Sequence, residues 1–439
     1  MEVKDKKIIV FGLGVTGKSS IKALYELGAK ISIYDDRKYE EYKNSITELE
    51  DYISEIIEDY SQLNWSEYYC VLKSPGIRLD NKFVVEANKK GVEVISDIEL
   101  AYRIWGGDNF VAVTGTNGKT TTTSLISHIL NYCGIKSKVV GNIGIGILYE
   151  MLKNGLDTIY ALEMSSFQLS NVEQFKPKIA VFTNITPDHT DWHGSFENYF
   201  DAKKNIYKNF KDEDTLVLNK DDKLLSKLKI NANTKYFSLI EKADAYLDGD
   251  EIVIGNDTFN KNILNLVGKH NIANTLAALL AIQQFDLEFN KVIEAIKDFQ
   301  SIEHRIEFVE EINGVKYYND SKGTNIDSTK VALSGFENNV ILIAGGYDKK
   351  VDFDELFEQV DNIKLLILFG DTKYKIHDAA VKMGVNNINI VDNLEEAVHI
   401  SKENSSKGDT VLFSPACASW DMYDNYEQRG NHFKSLVRN

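Results

Sequence analysis

The chain has 439 residues, 43% hydrophobic and 26% charged, with a formal net charge of −16. That composition excludes general disorder, and the acidic balance excludes a broad nucleic-acid surface while leaving room for a local phosphate site built from backbone amides. No apolar run approaches the roughly 18 residues of a membrane span, and three cysteines without CxxC spacing fit a reducing compartment.

The first stretch alternates. KKIIVF reads as a strand, GLGVTG as a turn, KSSIKALYELGA as a helix and KISIYDD as a second strand. YYCVLKS then reads as a strand ending at Ser74-Pro75-Gly76, and VEVIS as another near residues 92–96. Such alternation predicts a parallel sheet with crossover helices. Gly12-Leu13-Gly14-Val15-Thr16-Gly17 is GxGxxG between strand and helix, and Asp35 and Asp36 close the next strand about 20 residues on. The residues alone read as a dinucleotide fingerprint or as a plain tight turn.

FVAVTG opens a second cycle at residues 110–115. Gly115-Thr116-Asn117-Gly118-Lys119-Thr120 follows this β-branched strand and opens a Thr-rich helix. The GxxGKT spacing is two residues shorter than GxxxxGK[ST], yet the physics survives. Backbone N–H groups face the phosphates, Lys119 supplies a point charge and the Thr120 hydroxyl suits Mg²⁺. The segment predicts nucleoside triphosphate binding. TIYALEM (158–164), KIAVFTNI (178–185) and DTLVLN (214–219) read as further strands, and HNIANTLAALLAIQQF (270–285) as a helix.

Glu163 ends a strand beside the P-loop, where ligands of α/β sheets gather; it reads as a Mg²⁺ ligand or as a solvated strand-end acid. Thr186-Pro187-Asp188-His189-Thr190-Asp191-Trp192-His193 packs two His and two Asp into six residues. No third His or Cys cluster at zinc spacing accompanies them, so a hard cation or a phosphate suits the loop better than zinc, and a purely architectural loop is the plain alternative. Ser195 to Phe210 reads as a helix capped by Ser195. Lys203 falls inside its apolar stripe, seven residues after Phe196 and four before Tyr207. Periodicity alone favours a snorkelling lysine; the sharper reading is a buried amine with a lowered pKa.

A third cycle holds KYYND, NVILIAGG (339–346), KLLILFG (364–370), NINIV (387–391) and DTVLFS (409–414). Glu303-His304-Arg305, the run Asn319 to Asn325, Gly345 to Lys349 and Ser414 to Asp421 fall at strand ends. Together they bring Asp, Arg, Lys and Ser groups to where a second substrate could be held. We expect three α/β units in series, over residues 1–97, 98–303 and 304–439. The chain has only four prolines. Pro75, Pro187 and Pro415 follow strands, where a fixed φ and a missing N–H suit a chain that stops and turns; Pro177 precedes one.

TGTNGKTTT, EMSSFQL, NITPDHTDWH, HNIANTLAA, EHRIE, NDSKGTN and SPACASWD occur in this order across nearly the whole chain, and the set resembles the Mur ligase family of peptidoglycan synthesis. GLGVTGKS, LKSPGI, YNDSKGTN and SPACASWDMYDNYEQRGNHF look most like the branch that adds D-glutamate to UDP-N-acetylmuramoyl-L-alanine. The resemblance implies an N-terminal Rossmann-like domain for the UDP substrate, a central P-loop mononucleotide-binding domain for ATP and a C-terminal Rossmann-like domain that helps bind ATP and the amino acid. It implies an ADP-forming amide ligase working through an acyl phosphate with two Mg²⁺ ions, in cell-wall biogenesis and hence cell shape and division. We expect a cytoplasmic monomer with no nucleic-acid partner and no membrane span.

Position by position, the resemblance implies a UDP-substrate pocket of Val15, Thr16, Asp35, Asp36, Arg37, Ser74 and Asn142, with Asp36 where this ligase type often has Thr. ATP would meet Gly115, Thr116, Asn117, Gly118, Lys119, Thr120 and Thr121, together with Asn274, Arg305 and Asp320. The metal ligands would be Thr120, Glu163, His189 and Lys203, the last as a carbamate. Lys119, Glu163, His189 and Lys203 form the implied catalytic set. D-glutamate would meet Lys322, Thr324, Lys349, Ser419 and Tyr426, the last replacing an expected Phe. Rival readings are an amide ligase of the same architecture that adds a different amino acid to a UDP-sugar peptide or to folate, an NAD-dependent oxidoreductase built on GLGVTG, and a nucleotide-gated binding or scaffold protein without chemistry.

Overall fold

Three sheets follow one another along the chain in a computed structural model that describes residues 2–358 and 360–439. The first has five parallel strands in the chain order 3-2-1-4-5. Its strands are short β-branched runs, and Lys7–Phe11 is buried from Ile8 onward because helices cover both faces. The order reverses between Lys7–Phe11 and Tyr68–Lys73. Gly12 and Ser74 therefore leave the sheet side by side, at the kind of switch point where α/β folds bind ligands.

The second sheet has nine strands, with Phe110–Thr114 between Ile159–Glu163 and Ile179–Phe182. Its far edge carries an antiparallel meander, Ala245–Asp248, Glu251–Ile254 and Asp257–Asn260, that the sequence reading does not include. The signal is present in retrospect: Gly249 and Gly255, at φ 61° and 58°, open the two tight turns. The strands Ser137–Gly141 and Asn233–Ser238 are likewise additions. The capped helix is shorter than expected. It runs Phe196–Lys204, and its stripe continues in a 3₁₀ turn, Asn205–Tyr207.

Contacts divide the chain into two compact units. One comprises the residues up to Lys261 together with Ala273–Ile296, and so holds the first two sheets. A continuous apolar core joins them: the helices Val15–Glu26 and Asp97–Trp105 pack on Ile147–Asn154. Glu99, fully buried, accepts the backbone N–H groups of Glu173, Gln174 and Phe175 at 2.8–3.0 Å and pairs with Arg103 at 2.7 Å. Its charge is therefore compensated where the two sheets meet.

The other unit is Asn262–Ile272 with Lys297–Asn439. Its six-stranded sheet is parallel except for Glu307–Ile312, an edge strand antiparallel to Val315–Asn319 that the sequence reading lacks. Apolar clusters cover both faces. Pro75, Pro187 and Pro415 do follow strands. Among the described residues, no helix is long and apolar enough to cross a membrane.

Candidate functional site

The switch point of the first sheet is built by glycine. Gly12 has φ 89°, and a Cβ there would stand 2.9 Å from Ser74 Oγ. A Cβ on Gly17 would fall 2.0 Å from the Gly12 carbonyl, so the helix can start this close to the strand only with glycine. Ser74 Oγ closes the turn by donating to Gly12 O at 2.9 Å. Val15 is 70% exposed at the helix start, and the Thr16 carbonyl accepts from Ser19 Oγ. Asp35 accepts from Leu13 N at 3.2 Å and from Arg37 Nε and Nη2 at 2.7 and 2.9 Å. Burial works against its charge, but those donors hold its carboxyl below the usual range. Asp36 accepts from Tyr34 and from Asn81 Nδ2. The expected uridine-side residues thus sit together at one sheet end.

The P-loop lies at the end of the strand Phe110–Thr114 of the second sheet. Gly115 and Gly118 have φ 149° and 83°. A Cβ on Gly115 would stand 1.9 Å from Thr183 Oγ1, and one on Gly118 2.2 Å from Asn274 Oδ1, so both glycines are forced by space as well as by φ. Asn274 is in this way brought to the loop. Asn184 clamps Asn117 in both directions, accepting its N–H at 2.8 Å and donating to its carbonyl at 3.0 Å. Thr116 Oγ1 joins Thr186 and Tyr199 at 3.0–3.1 Å. Lys119 Nζ donates to Gly115 O and Thr116 O, and Thr120 and Thr121 are buried in the first turn of the helix. The GxxGKT loop is therefore a rigid cradle, consistent with a phosphate site.

Two charges beside it are buried. Glu163 is 2% exposed; Oε1 accepts from Asn142 Nδ2 at 2.9 Å, while Oε2 has no hydrogen-bond partner among the described residues. A buried carboxylate oxygen left open is expensive, and a bound cation is the usual resolution. Lys203 is 1% exposed, so it does not snorkel. Its Nζ donates to Gly115 O at 2.8 Å and lies 4.8 Å from the Tyr199 ring centre. Burial pushes its pKa well down, and the charge of Lys119 pushes the same way. The amine is held toward the neutral, nucleophilic form.

His189 has the left-handed φ of 49° and stacks near Phe167, with ring centres 4.8 Å apart. Burial lowers its pKa, Asp188 opposes this, and Lys203 and Lys119 add to it, so the neutral ring is available as a ligand. Among the described residues no three His, Cys, Asp or Glu side chains form a metal group. The expected set draws instead on Thr120, Glu163, His189 and a modified Lys203, and the open Glu163 oxygen beside a hydroxyl-bearing P-loop fits a hard cation such as Mg²⁺. Sequence reading missed the supports: Asn184, Tyr199, and Ser166, whose Oγ meets His193 Nε2 at 2.9 Å. Asn184 and Ser166 lie inside the NITPDHTDWH and EMSSFQL motifs, and Tyr199 lies in the apolar stripe four residues before Lys203; those placements were the available signal.

In the second unit, Asp320 is buried, accepting from Ser414 Oγ at 2.6 Å and from Ile306 N at 3.2 Å. Burial raises its pKa to about 6 against those donors and Arg305. Arg305 has a buried Nε without a partner among the described residues. Lys322 lies over the Tyr426 ring at 5.4 Å, and Lys349 donates to Thr324 O at 3.3 Å and lies over Trp420 at 5.7 Å. A cavity of about 190 Å³ is lined by Thr324, Tyr347, Lys349, Phe353 and Cys417 among others. Ser419 is buried, its carbonyl accepting from Met422 N and Tyr423 N. Arg429, which lies in the SPACASWDMYDNYEQRGNHF run, is fully buried and makes four hydrogen bonds, to Ser321 Oγ and to the carbonyls of Ser321, Cys417 and Ala418. It pins the Asp320–Asn325 loop to the Ser414–Asp421 loop.

Comparison with known proteins agrees with this arrangement. The chain matches the Mur ligase MurD-like N-terminal domain over residues 6–96, the Mur ligase middle domain over 113–282 and the Mur ligase glutamate ligase domain over 304–417. It is 40% identical over 453 aligned residues to a UDP-N-acetylmuramoylalanine--D-glutamate ligase of Alkaliphilus oremlandii, covering 100% of this chain and 99% of that protein. The protein of that name from Clostridioides difficile is also 40% identical, with 100% of both chains covered. Among solved structures, UDP-N-acetylmuramate-alanine ligase MurC of Thermotoga maritima superposes with a TM-score of 0.64 at 19% identity, over 99% of each chain. MurF ligase of Thermotoga maritima in complex with ADP superposes with a TM-score of 0.62 at 17% identity, over 100% of this chain and 96% of that one. Three α/β domains in series, a P-loop with its glycine cradle and full-length identity at this level together place the chain in the Mur ligase family.

Proposed function

We propose that the protein is an ATP-dependent ligase that adds D-glutamate to UDP-N-acetylmuramoyl-L-alanine in peptidoglycan precursor synthesis. The observation that carries this reading is the 40% identity, over the whole chain, to proteins that bear that ligase's name. The geometry supports it. Val15, Thr16, Asp35, Asp36, Arg37 and Ser74 stand at the switch point of the first sheet for the uridine nucleotide, and Asn142 stands on Glu163. The P-loop residues Gly115 to Thr121, with Asn274, serve ATP, and likeness to the family assigns Arg305 and Asp320 to the same nucleotide. Lys322, Thr324, Lys349, Ser419 and Tyr426 serve D-glutamate; the two lysines suit its two carboxylates. The corresponding domain limits are 1–97, 98–303 and 304–439, in a cytoplasmic monomer.

In this reaction the substrate carboxylate attacks the γ-phosphorus of ATP, and the resulting acyl phosphate is taken by the amine of D-glutamate with loss of phosphate. Both first partners are anions, so the step needs positive charge placed in advance. Lys119 provides one such charge at the P-loop. Thr120, Glu163, His189 and carbamylated Lys203 would hold two Mg²⁺ ions, which supply Lewis-acid neutralisation of the transferring phosphoryl group. Lys203 suits that role because a buried neutral amine can add CO₂ and become an anion. Purified protein given ATP, UDP-N-acetylmuramoyl-L-alanine and D-glutamate should release ADP and form the amide. Absence of ADP release with the complete set would reject the reading.

A further inference from the structure

We propose that Asp97 is a positioning residue for the ligation: fixed at the start of its helix, it holds the glycine loop 141–146 and so keeps Asn142 on Glu163. This rests on the ligase reading above. Asp97 is the first residue of the helix Asp97–Trp105, set by Ser96, whose Oγ accepts Glu99 N at 3.1 Å. It is 1% exposed, and its Oδ1 has no hydrogen-bond partner among the described residues.

The loop it faces is packed tightly at both ends. At one end, a Cβ on Gly141 would stand 2.3 Å from the Glu163 carbonyl. Asn142 donates its N–H to that carbonyl at 2.8 Å and its Nδ2 to Glu163 Oε1 at 2.9 Å. At the other end, a Cβ on Gly146 would stand 2.4 Å from Ser19 Oγ and 3.5 Å from Asp97 Oδ2. Burial raises the Asp97 carboxyl to about 6, while the N–H groups of Ile98, of Asp97 itself and of Ile147, the first residue after the loop, and then the charge of Lys73, draw it down.

Lys73 is a second buried ionisable group nearby, and its charge acts on Asp97. Its amine is 2% exposed and donates to the carbonyls of Ser74 and Ile77 at 3.1 and 2.8 Å, holding the turn on the UDP side. Burial lowers its pKa to about 8, with Asp97 opposing. A plain helix cap needs no charge here; a neutral Asn or Ser would accept the same N–H. Two opposite buried charges are tolerated when each offsets the other, and removing one leaves the other uncompensated. Asp97 Oδ2 beside Gly146, and Lys73 on the Ser74 and Ile77 carbonyls, thus put one buried group at the loop that leads to Asn142 and another at the turn beside Gly12.

The test compares steady-state kinetics for each substrate with calorimetric binding of UDP-N-acetylmuramoyl-L-alanine, on the full chain. Asp97→Asn should lower kcat by about 10- to 100-fold, as small misplacements of reacting groups do. It should also raise the KM and weaken the binding of the UDP substrate, and leave the KM for D-glutamate within about twofold. Lys73→Met combined with Asp97→Asn should lose less than the two single losses multiplied. Independently, Gly146→Ala should reproduce the same split by pushing the loop off Ser19, and Ser19→Ala in the same chain should relieve it. An active parent chain in which Asp97→Asn shifts only the melting temperature, or every KM alike, would overturn the positioning role alone. So would a Gly146→Ala defect that Ser19→Ala does not relieve. A parent chain that releases no ADP would overturn the ligase reading and this inference together.

Discussion

The P-loop end of the second sheet and the strand ends of the third treat buried charge in opposite ways. Around the P-loop, Glu163 keeps one oxygen open, and Lys203 is buried with a carbonyl as its closest partner. In the third sheet, Asp320 has both oxygens occupied, and Arg429 spends its donors on four acceptors. Uncompensated burial costs free energy and persists where a ligand completes it; compensated burial fixes a frame. The first region reads as a site built to receive charge, the second as a scaffold that aims the neighbouring Lys322 and Lys349.

The sharpest way to break that contrast is to neutralise the open charges. Glu163→Gln and Lys203→Ala should each lower turnover by about 10³-fold or more, because they remove transition-state stabilisation; Glu163→Gln should do so with little loss of stability, since the amide oxygen can still accept from Asn142. Bicarbonate or acetate should restore part of the Lys203→Ala activity by supplying the missing carboxylate. Failure of any restoration would count against carbamylation. Arg429→Met should do the reverse and cost about 3 kcal/mol in urea unfolding, since four buried acceptors lose their donors. A stable, inactive Arg429→Met would erase the distinction between the two regions.

A third comparison uses pH. Burial raises the folded pKa of Asp320 to about 6 from the ordinary carboxyl value of 3.8. Between those values the folded protein binds more protons at this carboxyl than the unfolded chain. Its contribution to stability therefore falls as pH rises from about 4 to about 6 and is constant above. The stability of the parent minus that of Asp320→Asn should decline across this window by on the order of 2 kcal/mol, and a difference that rises with pH would contradict it. The smallest effect is expected at Ser195, which caps the helix carrying Lys203 by accepting Asn198 N at 3.1 Å. Ser195→Ala should cost about 1 kcal/mol in thermal unfolding.

Much of the fold was legible because parallel strands buried on both faces announce themselves as β-branched runs, as FVAVTG and NVILIAGG do. The three-stranded meander at residues 245–260 was missed because its strands are four residues long and partly exposed. The motifs marked the groups proposed to meet ligands, and not those that hold them. Lys203 shows why. Its place in an apolar stripe with Tyr199 is visible in the sequence, but periodicity cannot tell a snorkelling lysine from one sealed under Thr114 and Gly115, about 90 positions away. Asp97 was silent for the same reason. An acid at a helix start is ordinary until the groups it is buried against are known, and Arg429 could be placed in a motif without its buried partners.

The most direct measurement is ADP release by the purified protein with ATP, Mg²⁺ and UDP-N-acetylmuramoyl-L-alanine, run against a panel of amino acids. D-glutamate should be the strongly preferred acceptor, with one amide formed per ADP released. Equal or better turnover with another amino acid, or no ADP release with D-glutamate, would contradict the assignment.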